Sequence, residues 1–260
     1  MYNFAPMDLS LIPLLFFAFL AGFIDSIVGG GGLVQLPALI LFLPQYPIVT
    51  LLGTNKMVSI TGTAMAMFQY ARHIQVPWRT SLFTAAAAFC FSLLGARVVS
   101  LLNPQFLRPV IIVLLIMIAV YIFIKKDFGQ TGALRLSKPQ QTAFGLLAGA
   151  AIGFYDGFLG PGTGSFLIFA FIGLFGFQFI TASAAAKVVN FATNLAAVLY
   201  FLINGYVLFQ VALPMMVCNI LGSLVGTRLA ILRGNRFIRL FFQVVVVAVI
   251  VKLAWDFFAV

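Results

Sequence analysis

Few side chains in this chain are suited to hold a metal ion or to act as an acid or base. Its 260 residues include no glutamate, five aspartates, one histidine and two cysteines. Zinc and iron sites need clusters of histidine, cysteine and carboxylate ligands, so no metal site is expected. A catalytic carboxylate pair or serine–histidine arrangement is equally hard to assemble, which argues against an enzyme. Cys90 and Cys218 lie in apolar segments and are interpreted as core residues, not as a disulfide or metal pair.

Charged residues are also scarce. They make up 8% of the chain, about a third of the ~25% that is typical of soluble domains. Hydrophobic residues make up 63%, and apolar runs such as residues 9–23 and 110–124 follow one another with short breaks. Several windows reach the roughly 20 residues that a helix needs to cross a bilayer. A soluble protein of this size cannot bury so much apolar surface, so the sequence predicts an all-α integral membrane protein with several crossings of the lipid bilayer.

The two halves of the chain repeat their charged residues without gaps. Asp25 and Asp156 are 131 positions apart (156 − 25 = 131), as are Lys56 and Lys187 (187 − 56 = 131). The same offset relates Gly95 with Gly226 and Arg97 with Arg228. A chain that avoids charge this strongly is not expected to repeat it by accident. A duplicated membrane protein that keeps charges inside the membrane is typical of transporters.

The apolar segments divide the chain into two transmembrane repeats, residues 1–128 and 141–260, joined by a basic linker at 129–140. Each repeat is predicted to hold about five helical segments. These are about 9–28, 33–44, 49–71, 80–102 and 105–125 in the first repeat and about 141–159, 165–177, 179–203, 208–232 and 236–258 in the second.

The second segment of each repeat is too short to span a bilayer at about 1.5 Å per residue. It follows a glycine-rich cluster, residues 29–32 or 160–164, through which a helix does not run comfortably. We therefore expect each repeat to open with a glycine-broken helical hairpin whose tip lies within the membrane. The sequence leaves open whether these hairpins span the membrane fully or re-enter.

Lysine and arginine in the loops set the expected orientation. Basic residues occur in loop 72–79, in the central linker and at 233–236, whereas loop 203–208 has none. All three basic segments are cytoplasmic only if each repeat makes an odd number of crossings. The two repeats are then inverted relative to one another, with both termini outside. The net charge of +10 is thus assigned to cytoplasmic loops, and no nucleic-acid partner is expected.

Each repeat carries a polar stripe headed by a lysine. The spacing i, i+3, i+7 places the residues of each stripe on one face of a helix. The stripes consist of Lys56, Ser59 and Thr63 in the first repeat and Lys187, Asn190 and Asn194 in the second. One interpretation is a substrate path in which the ammonium groups attract an anion. The alternative is that each lysine snorkels to an interface or forms a structural ion pair.

The glycine clusters are a second candidate site. A helix interrupted within the membrane leaves backbone N–H groups that are able to hold an oxyanion. The candidates are Gly30, Gly31, Gly32, Gly162, Thr163 and Gly164, with Asn55 beside Lys56. The alternative is that glycine serves only the close packing of each hairpin.

Asp25 and Asp156 each precede the first glycine of a cluster by four residues. A carboxylate at this place either pairs with a lysine or arginine or binds a coupling proton or cation. Arg97 and Arg228, each two residues after a glycine, are further candidates for ion pairing or coupling. Their depth in the helix bundle is left open by the sequence.

Two motifs resemble the sulfite exporter TauE/SafE family, also called the toluene sulfonate uptake permease family. The first is Gly-Phe-Ile-Asp-Ser-Ile-Val-Gly-Gly-Gly-Gly at 22–32 followed by Gly-Thr-Asn-Lys at 53–56. The second is Gly-Phe-Tyr-Asp-Gly-Phe-Leu-Gly-Pro-Gly-Thr-Gly at 153–164 followed by Ala-Lys-Val-Val-Asn at 186–190. Three alanines at 184–186 stand where the first half has Gly53-Thr54-Asn55, so the half-sites are not chemically equal.

The resemblance covers nearly the whole chain and implies a prokaryotic inner-membrane transporter of sulfite, sulfonates or sulfoacetate, without an organic cofactor. With the polar stripes it suggests secondary transport by alternating access. The alternative is an anion channel or a permease for another small organic or inorganic anion. The sequence leaves open the anion, the direction of transport, coupling to a proton or cation, and whether the chain forms a homodimer.

Overall fold

The computed structural model describes residues 11–102 and 137–258. Within these ranges all regular structure is helical, in eight helices. They are α1 (Leu11–Val28), α2 (Gly32–Phe42), α3 (Ile48–His73), α4 (Trp78–Leu101), α5 (Lys138–Phe158), α6 (Thr163–Phe175), α7 (Phe179–Ile203) and α8 (Phe209–Phe258). The predicted segment 105–125 and most of the linker lie outside the described residues. The segments predicted at 208–232 and 236–258 are two helical parts of α8 on either side of a kink at Gly234, whose φ of 66° and ψ of −160° are not helical.

Four of the described helices are long and apolar enough to cross a membrane. They are α1, α4, α7 and the part of α8 from Phe209 to Gly234. Helix α3 has 26 residues and is long enough as well. It does not reach the same mean hydropathy, because the polar stripe of Lys56, Ser59 and Thr63 lies within it. Buried polar residues thus lie on α3 and also on α7, which carries the second stripe of Lys187, Asn190 and Asn194.

Both hairpins break at glycines with positive φ. Gly29 ends α1 with φ 78°, and Gly160 and Gly162 separate α5 from α6 with φ 90° and 82°, values that L residues other than glycine rarely adopt. The returning helices α2 and α6 have only 11 and 13 residues. At about 1.5 Å per residue they are about 16 and 20 Å long, against roughly 30 Å for the bilayer core. The short second segment of each repeat is confirmed.

The tips of the two hairpins meet each other. The backbone N–H of Ser165 donates to the carbonyl oxygen of Gly29 over 3.2 Å. The Ser165 hydroxyl donates to the carbonyl oxygen of Val28 over 2.8 Å. A Cβ atom added at Gly29 would overlap the backbone of Gly164. The two glycine clusters thus come together at one place, where the hairpins of both repeats end.

Each of the closest helix contacts occurs twice, and the second contact is the first with the two repeats interchanged. A Cβ atom added at Gly22 of α1 would overlap the carbonyl group of Asn219 in α8. At Gly153 of α5, 131 positions later, it would overlap the backbone of Ala88 in α4. Ala88 is in turn the counterpart of Asn219, since 219 − 88 = 131. Helix α1 therefore packs on α8 as α5 packs on α4.

Hydrogen bonds between the repeats show the same exchange. The Ser92 hydroxyl donates to the carbonyl oxygen of Thr193 over 2.9 Å. The Ser223 hydroxyl donates to the carbonyl oxygen of Gly62 over 2.6 Å. Ser223 is the repeat counterpart of Ser92, and Thr193 is that of Gly62, since 223 − 92 = 131 and 193 − 62 = 131. The repeat in the sequence is thus present as a repeat of contacts.

Candidate substrate site

Lys56 and Lys187 lie inside the protein, and each forms an ion pair with an aspartate of the other repeat. The Nζ atom of Lys56 lies 2.6 Å from Oδ2 of Asp156, with side chains 4% and 1% exposed. The Nζ atom of Lys187 lies 2.8 Å from Oδ2 of Asp25, with side chains 0% and 18% exposed. Neither ammonium group extends to the surface of the protein. The two pairs are counterparts of each other, with the repeats exchanged.

A chain of polar contacts connects the two ion pairs. Lys56 donates to Oδ1 of Asn194 over 3.1 Å. Asn194 donates through Nδ2 to the hydroxyl of Thr63 over 3.4 Å. The Thr63 hydroxyl faces Oδ2 of Asp25 at 3.5 Å. Thr63 and Asn194 are themselves repeat counterparts, since 194 − 63 = 131, so their contact lies where the repeats meet.

The broken hairpins position this cluster. Asp25 lies in the last turn of α1, where its carbonyl oxygen accepts from the N–H of Gly29 over 2.8 Å. Lys187 also donates to that carbonyl oxygen. The carbonyl end of a helix carries partial negative charge, which stabilises the ammonium group there. At the other hairpin, a Cβ atom added at Gly160 would lie 2.7 Å from Nζ of Lys56, so glycine gives the lysine room to approach.

The site is electrically balanced, because two lysines face two aspartates. Burying an ion costs free energy that a close partner of opposite charge offsets, and removing one partner leaves the other uncompensated. The expected ammonium groups are present, but each already has a carboxylate partner. Each lysine of this cluster is therefore already compensated by a carboxylate of the other repeat.

The other residues predicted for the site are only partly drawn into this cluster. Asn190 is buried next to Thr193, whose hydroxyl donates to the Asn190 carbonyl oxygen over 3.0 Å. Ser59 is half-buried on α3, and its side chain makes no hydrogen bond to the residues that the structure describes. Arg97 and Arg228 are exposed on α4 and α8, and neither forms an ion pair with the described part of the chain.

Several N–H groups at the hairpin tips already have backbone partners. The N–H of Leu33 donates to Gly30 over 3.0 Å, and the N–H of Thr163 donates to Gly160 over 3.2 Å. Gly31, Gly162 and Gly164 are buried, and Gly32 is half-buried. Around Gly30, an added Cβ atom would have no heavy atom closer than 3.7 Å. The tips are thus close to the ion pairs, but part of their donor capacity is used within the hairpins.

Asn55 belongs to a second polar cluster that the sequence reasoning missed. Its Oδ1 atom accepts from Nε2 of Gln35 over 2.9 Å. Nδ2 of Asn219 donates to Oε1 of Gln35 over 3.1 Å and to the carbonyl oxygen of Ala18 over 3.0 Å. Gln35 is the only strongly polar side chain in the apolar helix α2, which was a usable signal. Asn219 gave no such signal in the sequence, because its repeat counterpart is the apolar Ala88.

The cysteines are both free, and Cys90 corrects one expectation. Cys218 is half-buried, but Cys90 is exposed on α4 and does not belong to the core. An apolar segment in a membrane protein faces lipid as readily as it faces the core, so apolarity alone does not predict burial. Among the described residues, no group of three histidine, cysteine or acidic side chains is arranged to hold a metal ion.

Comparison with known proteins identifies the family. The chain matches the model of the sulfite exporter TauE/SafE family over residues 14–253. It is 37% identical over 239 residues to the probable membrane transporter protein ORF9 of Sinorhizobium sp, covering 92% of this chain and 90% of that protein.

Two further relatives have similar names. The chain is 36% identical over 247 residues to the probable membrane transporter protein YfcA of Escherichia coli (strain K12), covering 95% and 90% of the two chains. It is 34% identical over 251 residues to a probable membrane transporter protein of Haemophilus influenzae, covering 96% and 97%. No solved structure matches significantly. With its helices, its buried ion pairs and this match over most of its length, the chain belongs to the sulfite exporter TauE/SafE family of membrane transporters.

Proposed function

We propose that this protein is a secondary transporter of small sulfur-containing oxyanions, such as sulfite, sulfonates or sulfoacetate, in a prokaryotic inner membrane. The observation that carries the proposal is the pair of reciprocal ion pairs, Lys56–Asp156 and Lys187–Asp25. Charged groups buried within a membrane protein are expensive and usually mark a substrate or ion path. Membership of a family of transporters supports the same function.

The proposal includes inverted topology of the two repeats. Gly53, near the start of α3, packs against the carbonyl group of Tyr206, just beyond the end of α7. Farther along α3, Thr63 bonds Asn194, which comes earlier in α7. Helices α3 and α7 therefore run in opposite directions. Because Lys56 and Lys187 make these two helices repeat counterparts, opposite directions support inversion of the halves.

Alternating access is the proposed mechanism. Each ion pair joins a lysine of one repeat to an aspartate of the other, so rocking of the repeats changes the distances within both pairs. An anion takes the place of the carboxylate at Lys56 or Lys187, and the amide of Asn194 and the hydroxyl of Thr63 orient its oxygens. Ser59 and Asn190 are proposed to complete the polar path, with further N–H donors from the hairpin tips. These tip residues are Gly30, Gly31, Gly32, Gly162, Gly164 and Thr163, of which Thr163 would exchange its N–H bond to Gly160 for one to the anion.

Uptake of labelled sulfite and organosulfonates into liposomes containing the purified protein tests the function. The expected result is saturable flux by the natural protein, lost in Lys56→Ala and Lys187→Ala because the anion then lacks its ammonium partner. The exposed Arg79 serves as a matched control, and Arg79→Ala should keep its flux. Unchanged flux in both lysine variants would overturn the site, and flux that never saturates would favour a channel.

A further inference from the structure

The interior of the described part of this protein carries no net charge. Its four charged side chains there are Lys56, Lys187, Asp25 and Asp156, which sum to zero. Every other charged side chain that the structure describes is exposed, namely Arg72, Arg79, Arg97, Arg228 and Arg233. A transported anion would thus enter a protein interior that is already neutral. Each negative charge of the anion would have no positive partner there.

An uncompensated charge in a low-dielectric interior is strongly unfavourable, and a buried group avoids it by changing its protonation state. Here the balance is restored if a carboxylate takes up a proton from water. The proton binds a carboxyl oxygen of Asp25 or Asp156, the ion pair opens, and the freed ammonium group binds an oxygen of the anion. The four side chains then carry two positive charges and one negative charge, which the anion brings back to zero.

We infer that this transporter is electroneutral and carries one proton with each negative charge of its substrate, with Asp25 and Asp156 as the two proton acceptors. The inference rests on the proposed function and deepens it. Two carboxylates set an upper limit of two protons. A monovalent sulfonate therefore moves with one proton and a divalent anion such as sulfoacetate with two.

The geometry favours a proton over a metal cation as the coupling ion. Oδ2 of each aspartate already lies 2.6 or 2.8 Å from an ammonium nitrogen. A sodium or calcium ion needs several oxygen ligands around it, which these paired carboxylates do not supply on their own. A proton needs only one carboxyl oxygen, and its binding also releases the lysine.

The two acceptors differ in accessibility and share few other titratable neighbours. Asp25 is 18% exposed, whereas Asp156 is 1% exposed, so Asp25 is the less enclosed of the two acceptors in this conformation. Beside the lysines, the titratable groups near these aspartates are two tyrosines. Tyr70 donates to the carbonyl oxygen of Ser26, and Tyr155 to that of Pro161. The described arginines on the helices packed against them are all exposed, as is His73; these arginines are Arg72 on α3, Arg79 and Arg97 on α4, and Arg228 and Arg233 on α8.

Proteoliposomes with the natural protein test the inference. Uptake of toluene sulfonate and of sulfoacetate is measured together with proton uptake by a pH dye, while potassium and valinomycin fix the membrane potential. We expect one proton per toluene sulfonate and two per sulfoacetate, and accumulation that follows the pH gradient alone. A single net charge would instead change the accumulation ratio about 50-fold per 100 mV.

Accumulation that follows voltage or a sodium gradient, with no proton uptake, would overturn the inference while leaving the transport function intact. Absence of saturable uptake for every sulfur oxyanion would instead overturn the proposed function. In Asp25→Asn we expect the proton ratio for sulfoacetate to fall from two to one, because one acceptor is removed. A purely structural role of Asp25 would lower uptake and leave this ratio at two. The ratio in the natural protein decides the inference even if the variant does not fold.

Discussion

The two repeats share their packing contacts but differ in the polar chemistry built on them. The ion pairs, the inter-repeat serine bonds and the closest glycine contacts all occur twice with the repeats exchanged. The amide cluster of Gln35, Asn55 and Asn219 occurs once. Its counterparts 131 positions away are Phe166, Ala186 and Ala88. Backbone packing has thus stayed symmetric while side chains diverged, so a substrate need not bind on the pseudo-twofold axis.

The hairpin tips differ as well. Gly29 packs against Gly164 of the other hairpin, whereas its counterpart Gly160 packs against the ammonium group of Lys56. The two aspartates are also unequally exposed. In a carrier with inverted repeats, each end state is expected to place its two halves in unlike conformations. The differences at the tips are of the kind that the proposed alternating access requires.

The largest expected difference between the repeats concerns the two lysines. Lys56→Met leaves the fully buried Asp156 without a partner, which should lower the free energy of unfolding by about 3–5 kcal/mol. Lys187→Met should cost less, because Asp25 is 18% exposed and is solvated more easily. Thermal unfolding in detergent measures both.

The double variant Lys56→Met with Asp156→Asn separates stability from transport. It removes both charges, so it should recover most of the lost stability while flux remains absent. An equal or larger loss for Lys187→Met than for Lys56→Met would contradict the unequal burial of the two ion pairs.

A loss of stability of intermediate size, equal in the two repeats, is expected at the paired glycines Gly22 and Gly153. Gly22→Ala and Gly153→Ala each place a methyl group against backbone atoms that have no rotamer to change. Overpacking of this kind costs about 1–3 kcal/mol, and we expect similar losses of thermal stability in the two variants. Gly30→Ala is the control, because its nearest heavy atoms are 3.7 Å away. If one of the two packed sites accepts alanine and the other does not, the symmetric packing is wrong.

The smallest effect is expected at the two serines that join the repeats. Ser92→Ala and Ser223→Ala each remove one buried hydrogen bond, so each should reduce stability by about 1 kcal/mol. Ser183→Ala is matched to them, because its buried hydroxyl has no hydrogen-bond partner among the described residues. It should therefore unfold at the same temperature as the natural protein. A loss in Ser183→Ala equal to that in Ser92→Ala would show that hydroxyl burial, not the bond between repeats, matters.

The sequence was sufficient to predict most of the helices. Helix α2 was predicted at about 33–44 and is found at Gly32–Phe42, because glycine and proline mark both of its ends. The break predicted near residue 234 is present as a kink, at which Gly234 leaves the helical conformation. A single glycine with positive φ is enough to redirect a chain, and sequence alone does not tell it from a short loop.

The residues of the candidate cluster were predictable, but their partners were not. Repetition at one offset singled out Lys56, Lys187, Asp25 and Asp156. Which lysine meets which aspartate depends on how helices of different repeats pack, and no spacing along the chain contains that information. Gln35 carried a signal as the one strongly polar side chain of α2, but its contact with Asn219 of the other repeat was not predictable from spacing along the chain.

Locating a bound oxyanion in the protein tests most directly whether an anion binds at the buried ion pairs. Crystals of the natural protein soaked with selenite, a sulfite analogue, would show the selenium by anomalous diffraction. We predict a peak beside Lys56 or Lys187, with an anion oxygen about 2.7–3.2 Å from Nζ and the corresponding aspartate moved away. Selenite bound only at exposed arginines, with both lysine–aspartate pairs unchanged, would contradict the account.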